Sequence, residues 1–202
     1  MGRIRRTVWV LGLVLSLGIL GCSSSQQVTS QSPQAAYEEG MRHYESGNYA
    51  RAVESFQQVF NFGRAHQWAD EAQYYLAKSH LESEKYLLAA DEYSRYLDLY
   101  GNTDRATQAE FERALAYYRQ SPPFQLDQSD TRQGIRNLRL FLERHPNSEY
   151  TDRAGEMLQE LREKLAHKEY AAAELYERRE FFESAAIAYQ RVLERYPETS
   201  WA

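Results

Sequence analysis

The side chains able to do chemistry in this sequence are few and poorly grouped for catalysis. Cys22 is the only thiol among 202 residues, which excludes a disulfide framework and any zinc site built on cysteines. His43 and His80 stand 37 residues apart. A metal or acid–base pair would need a third partner at matching spacing, and a shared packing slot in two copies of a repeat is the simpler account. Neighbouring carboxylates such as Glu38 with Glu39 and Glu82 with Glu84 fit solvated helix faces. There is no phosphate-cradling G-x-x-x-x-G-K or G-x-G-x-x-G, no G-x-S-x-G elbow and no H-E-x-x-H. The sequence predicts a protein that is not an enzyme and carries no metal and no cofactor.

The chemistry left to Cys22 follows from what precedes it. Arg3, Arg5 and Arg6 form a basic tip, Thr7 to Leu20 is an uninterrupted weakly polar-to-apolar stretch, and Gly21 comes before the cysteine. That is the outline of a signal peptide over residues 1–21. Fourteen helical residues reach only about 21 Å, short of the ~30 Å hydrocarbon core, so export fits better than a permanent span. Ile19-Leu20-Gly21-Cys22 resembles the bacterial lipobox, in which the cysteine is acylated and becomes the new N-terminus, although Leu20 replaces the small residue more often seen there. Ser23, where an inner-membrane retention signal would resemble Asp, favours the outer membrane. Residues 22–34 are polar and have almost nothing to bury, so they predict a tether holding the folded part about 20 Å from the bilayer.

Composition narrows the classes further. With 43% hydrophobic residues and five prolines, the chain can bury a core and is not disordered throughout. Removing the three leader arginines leaves 21 basic against 29 acidic residues, a charge of −8. No long Lys/Arg run offsets it, which argues against a nucleic-acid partner.

The elements that position these residues show up as an internal repeat. Gly40, Ala52, Phe56 and Val59 lie at offsets 0, 12, 16 and 19, and the same offsets return in Ala77, Ala89, Tyr93, Tyr96 and in Ala173, Ala185, Tyr189, Val192. A fourth copy, Ala114 with Gly134, Leu138 and Phe141, has eight extra residues between its halves. Small residues let two antiparallel helices cross closely, and the aromatic one turn later fills the space beside the crossing. Pro146 and Pro197 stop the second helix in two copies, while Arg64 and Gly101 stand there in the others, predicting turns that differ in detail. The expected helices are 34–46, 49–62, 67–82, 86–99, 104–119, 130–144, 148–178 and 181–195, with no strands. These offsets resemble the tetratricopeptide repeat and predict an all-α superhelix of about four helix pairs over residues 35–202.

Glu149-Tyr150-Thr151-Asp152, Leu161-Arg162-Glu163-Lys164-Leu165-Ala166, Glu169-Tyr170, Ala173-Glu174, Tyr176 and the run Arg191 to Thr199 resemble the BamD (ComL/YfiO) family of lipoproteins in the outer-membrane β-barrel assembly machinery. The lipobox, the tether, the insertion in the third repeat and the long helix before the fourth agree. Such proteins usually carry a fifth helix pair, whereas this chain stops at Ala202. Either that pair is cut off, or the outer side of the fourth repeat is polar or covered by a partner. The resemblance implies a non-catalytic scaffold at the periplasmic face of the outer membrane, held by its N-terminal lipid. Its early repeats would receive the C-terminal targeting strand of unfolded outer-membrane proteins. Its late repeats would dock the periplasmic domain of BamA and other Bam lipoproteins. A second expectation is a tetratricopeptide pilotin serving pilus or secretin assembly.

Tyr37, Tyr74, Phe111 and Tyr170 each precede the first small residue of a repeat by three, which puts them on one helical stripe. They fit core packing between helices, or the edge of a groove that receives a peptide. One turn on lie Met41, Lys78, Leu115 and Glu174. The groove candidates are therefore Tyr37, Met41, Tyr74, Lys78, Phe111 and Leu115; the partner-docking candidates are Tyr170, Glu174, Arg178, Arg191 and Arg195. The Pro122-Pro123-Phe124 loop is expected to be a surface insertion or a partner contact.

Overall fold

A computed structural model describes residues 32–202; Cys22, the leader and nearly all of the tether lie outside them. The described residues form α1 (Pro33–Glu45), α2 (Tyr49–Val59), α3 (Ala69–Glu82), α4 (Tyr86–Tyr100), α5 (Ala106–Gln120), α6 (Ser129–Arg144), α7 (Thr151–Arg178) and α8 (Phe182–Arg195), with no strand among them. Each helix packs chiefly on its neighbours in sequence, with lighter contacts between α1 and α3 and between α5 and α7, so the first helices of adjacent pairs lie side by side.

Local chemistry explains where the helices begin and turn. Ser32 Oγ accepts from the Ala35 amide at 3.1 Å ahead of Pro33 in the first turn, and Asn48 caps α2 through the Arg51 amide at 3.4 Å. Between the helices of three pairs the chain reverses through one left-handed residue: Gly47 (φ 76°), Glu84 (φ 62°) and Glu180 (φ 62°). Each reversal is closed by the same bond, Asn48 N–H to His43 O at 2.8 Å, Lys85 to His80 at 2.9 Å and Phe181 to Tyr176 at 2.9 Å. The two glutamates carry the steric cost that glycine avoids, of order 1 kcal/mol each. In the third pair the insertion replaces this turn, and Lys164 Nζ to Ser121 Oγ (2.7 Å) and Lys168 Nζ to Leu126 O (2.7 Å) hold the loop onto α7.

The small residues sit at the crossings. Ala77, Ala114 and Ala173 are buried, and a Cβ on Gly40 would lie 2.5 Å from the Phe56 ring. A Cβ on Gly134 would lie 2.7 Å from Leu161 Cδ1 and 3.3 Å from Tyr117 O, so α6 approaches both α5 and α7 closely there. The two turns lacking proline do differ: the first passes through a 3₁₀ turn at Phe60–Phe62 into Gly63 (φ 96°), while α4 runs on to Tyr100. Gly155 does not interrupt α7, which is continuous over 28 residues.

Phe182, Ala186, Tyr189 and Leu193 form one stripe on α8, and Phe182 and Leu193 are 67% and 55% exposed, so of the alternatives for this outer side the polar one does not hold. The equivalent stripes on α2, α4 and α6 are buried or half-buried because α3, α5 and α7 pack on them.

Candidate functional site

The face formed by the first helices is organised around one buried acid that the sequence pattern does not single out. Glu112 on α5 is 8% exposed. Its Oε1 accepts from the Tyr74 hydroxyl at 2.9 Å and from Gln108 Nε2 at 3.2 Å, with Lys78 Nζ at 3.4 Å, and its Oε2 accepts from the Tyr93 hydroxyl. A buried carboxylate persists when its lone pairs are filled and a cation is near. Burial first, and then this carboxylate, raises the Tyr74 and Tyr93 phenols well above their ordinary pKa, because ionisation would set an unsolvated negative charge beside a second one.

The aromatic stripe is packed from the following repeat. Tyr37 meets Trp68 at 5.1 Å between ring centroids, the Arg105 guanidinium lies 4.4 Å over Tyr74, Phe111 stacks on Tyr150 at 4.6 Å and 12°, and Tyr170 meets Trp201 at 5.3 Å. Each partner stands 31 residues after its aromatic, or 39 where the eight-residue insertion intervenes. A planar group just before the following pair, or after α8 in the last case, therefore covers the aromatic of each pair. That 31-residue pairing is a signal in the sequence, but it crosses from one repeat to the next and is invisible in the offsets within each repeat.

The groove candidates divide accordingly. Tyr74, Phe111 and Leu115 are 1%, 2% and 6% exposed and form part of the main core. Tyr37 and Met41 are half-buried against the first-repeat cluster of Ala36, Ala52 and Phe56. Lys78 keeps its ammonium partly in solvent beside Glu112. Of the six, Tyr37, Met41 and Lys78 present free surface, all on α1 and α3.

The docking candidates surround the last pair. Tyr170 is held between Trp201 and Tyr189, both at 5.3 Å. Glu174 and Arg178 pair along α7 at 3.8 Å, and Arg191 reaches Glu169 at 3.5 Å while its Nε is buried without a partner. Arg195 is exposed, and its carbonyl accepts from Arg162 Nη2 at 2.8 Å. Phe124 lies 3.7 Å from the His167 ring, which stacks at 4.0 Å and 4° on Trp201. The inserted loop thus packs against α7, whose His167 in turn stacks on Trp201.

The histidines occupy separate settings. His43 lies 3.3 Å from Glu39, whereas His80 is 7% exposed, its Nδ1 unpartnered and its pKa lowered by burial. Among the described residues no three His, Cys, Asp or Glu side chains gather as a metal-binding group, and no helix is long and apolar enough to cross a membrane.

Known proteins supply the remaining comparison. The chain is 25% identical over 205 residues to the outer membrane protein assembly factor BamD of Caulobacter vibrioides, covering 97% of this chain and 66% of that one. It thus spans just under two thirds of that relative's length. It is 26% identical to the BamD of Vibrio cholerae, covering 94% of this chain and 83% of the relative. Among solved structures, the Arabidopsis OM64 TPR domain is 14% identical with a TM-score of 0.49, over 65% of this chain and 98% of that domain. The profile of YfiO, described as an outer membrane lipoprotein, matches residues 29–202. With the four-fold helix-pair pattern carried through that whole span, the chain belongs to the YfiO family of outer membrane lipoproteins.

Proposed function

We propose that this chain is a non-catalytic, lipid-anchored scaffold that helps assemble outer-membrane β-barrel proteins, its first two helix pairs receiving an extended targeting strand and its last pair docking the periplasmic domain of BamA. The observation that carries the reading is the match to this family over residues 29–202, with relatives that are themselves outer membrane protein assembly factors. The first two pairs support the substrate half of it. Half-buried Tyr37 and Met41 on α1 offer apolar contact, and Lys78 on α3, anchored to buried Glu112, supplies one cation. That combination suits the C-terminal carboxylate and aromatic end of an unfolded barrel strand.

Lys78→Gln is the informative change. Lys78→Glu would put a second carboxylate beside Glu112, 3.4 Å from the present ammonium, and would mix lost binding with lost stability. In fluorescence titrations with a peptide ending in an outer-membrane β-strand signal, run well below the melting transition, Lys78→Gln should weaken binding roughly three- to tenfold, with a lowered melting temperature because Glu112 keeps its hydroxyl donors but loses its neighbouring cation. Equal affinity in parent and variant would remove Lys78 from the site. Co-purification after mild detergent extraction tests the docking half: BamA is the expected companion, and a secretin in its place would overturn the reading.

The lipid anchor is tested at Cys22. Cys22→Ser should release the protein from the membrane fraction or leave the leader uncleaved, because acyl chains buried at about 0.8 kcal/mol per CH₂ provide the attachment. A free, unmodified cysteine at the N-terminus of the mature wild-type protein, read by mass spectrometry, would exclude lipidation.

A further inference from the structure

Five arginines gather where the charge of the whole chain gives no reason for them. Acidic residues outnumber basic ones 29 to 24, yet Arg132, Arg136, Arg139, Arg162 and Arg195 line one cleft of about 290 Å³ between α6, α7 and the end of α8. Arg132, Arg136 and Arg139 fall at i, i+4 and i+7 and so share one face of α6. Ile135 and Leu165, 7% and 9% exposed, form the apolar floor.

We propose that this cleft docks an acidic segment of a protein partner, its carboxylates meeting the guanidinium groups and one apolar side chain resting on Ile135 and Leu165. The chain itself shows what the cleft accepts. Glu198, outside the lining, ion-pairs with the lining Arg162, whose Nη2 donates to the Arg195 carbonyl at 2.8 Å. The Arg162 contact holds the Glu198 carboxyl below the usual carboxylate range. Asp127 reaches Arg132 only at 4.0 Å. No carboxylate among the described residues comes within ion-pair distance of Arg136, Arg139 or Arg195. Crowded like charges are unfavourable in the free protein, so an incoming carboxylate relieves repulsion as well as forming new bonds.

The lining cations are all arginine and none is lysine. The planar guanidinium fork matches a carboxylate in two places at once. A recessed floor of two aliphatic side chains suits a single inserted residue, whereas a membrane-binding face would present a flat basic surface with protruding apolar groups. The chain's acidic balance also opposes approach to an anionic bilayer.

The inference deepens the docking role proposed above and rests on it for the partner being a protein. The test uses the full chain and a fluorescein-labelled peptide containing Glu-Glu-Leu-Glu-Glu, with a Gln-Gln-Leu-Gln-Gln control. The acidic peptide should bind, more weakly as salt rises, and the control should not. The double variant Arg136→Gln/Arg139→Gln, with unchanged circular dichroism, should weaken acidic-peptide binding about tenfold and leave targeting-strand binding at the Lys78 face intact. If that pair does not fold, Arg139→Gln alone should show a several-fold loss. No binding, equal binding of the control, or an unchanged affinity in the variants overturns the proposal. So does capture by phosphatidylglycerol vesicles that the variants lose while the peptide stays unbound, since the cleft would then serve a lipid headgroup. Failure of the targeting-strand titration with the acidic peptide still bound would count against the substrate-binding reading and leave the cleft standing.

Discussion

Tyr74→Ala is expected to lower the stability of the stack by about 3 to 5 kcal/mol, the usual cost of truncating a buried aromatic. The ring is 1% exposed and sits 5.9 Å from both Tyr93 and Tyr96 and edge-on to Tyr75 at 5.4 Å, under the Arg105 guanidinium. Its removal opens a cavity where the second and third pairs meet and deprives Glu112 of a donor at 2.9 Å. Tyr74→Phe keeps the ring and loses only that bond to a charged acceptor, so about 1.5 to 3 kcal/mol is expected. Urea titrations followed by circular dichroism would rank parent above Phe above Ala. An alanine variant as stable as the parent but unable to bind a targeting-strand peptide would show that Tyr74 belongs to the binding surface and not to the core.

Alkaline pH should unfold the protein over a narrow window. Tyr37 and Tyr118 are pushed up to about 12, the first mainly by burial and the second mainly by its bond to Glu160. Tyr44, Tyr74 and Tyr93 are raised too, with burial the largest cause in each. Below about pH 10, the ordinary tyrosine value, the phenols are neutral in both states and contribute no pH dependence. Above it the unfolded chain releases protons that the folded chain still holds. Stability therefore falls as pH rises, until the folded pKa values are reached. Each fully retained proton is worth at most about 1.4 kcal/mol per pH unit, so fully buried Tyr74 and Tyr93 together approach about 3 kcal/mol per unit. A helical stack of ordinary stability should lose its far-ultraviolet circular dichroism between about pH 10 and 12, in one transition with the rise in phenolate absorbance. Phenolate appearing near pH 10 while helicity persists would mean that these tyrosines are not buried in solution.

Parts of the molecule differ in how readable they are from sequence. The small residues at Gly40, Ala77, Ala114 and Ala173 and their partners twelve residues on, or twenty in the copy with the insertion, were legible because backbone proximity at a helix crossing admits almost nothing else. The same constraint explains why eight helices could be placed within a few residues of their observed ends. The choice between core and groove for the aromatic stripe was not legible from one helix. It depends on what lies over each ring 31 or 39 residues later, where Trp68, Arg105, Tyr150 and Trp201 stand, a pairing that shows only when adjacent repeats are read together.

Glu112 and the arginine cleft make the same point more sharply. On α5 alone, Glu112 reads as one more acid on a charged helix. Its burial follows from α3 and α4, which bring the Tyr74 and Tyr93 hydroxyls and the Lys78 ammonium to it from sequence separations of 38, 19 and 34 residues. Arg132, Arg136 and Arg139 likewise become a site only when α7 and the end of α8 supply Arg162 and Arg195. The sequence by itself determined the helix pairs, their order, the insertion and the long α7, because all of these are written in local spacing and hydrophobic period. Tertiary structure alone decided which polar side chains are buried, which cations stand unneutralised and which faces remain open. Those properties come from distances between residues far apart in the chain, and electrostatic and desolvation energies depend on such distances rather than on residue order.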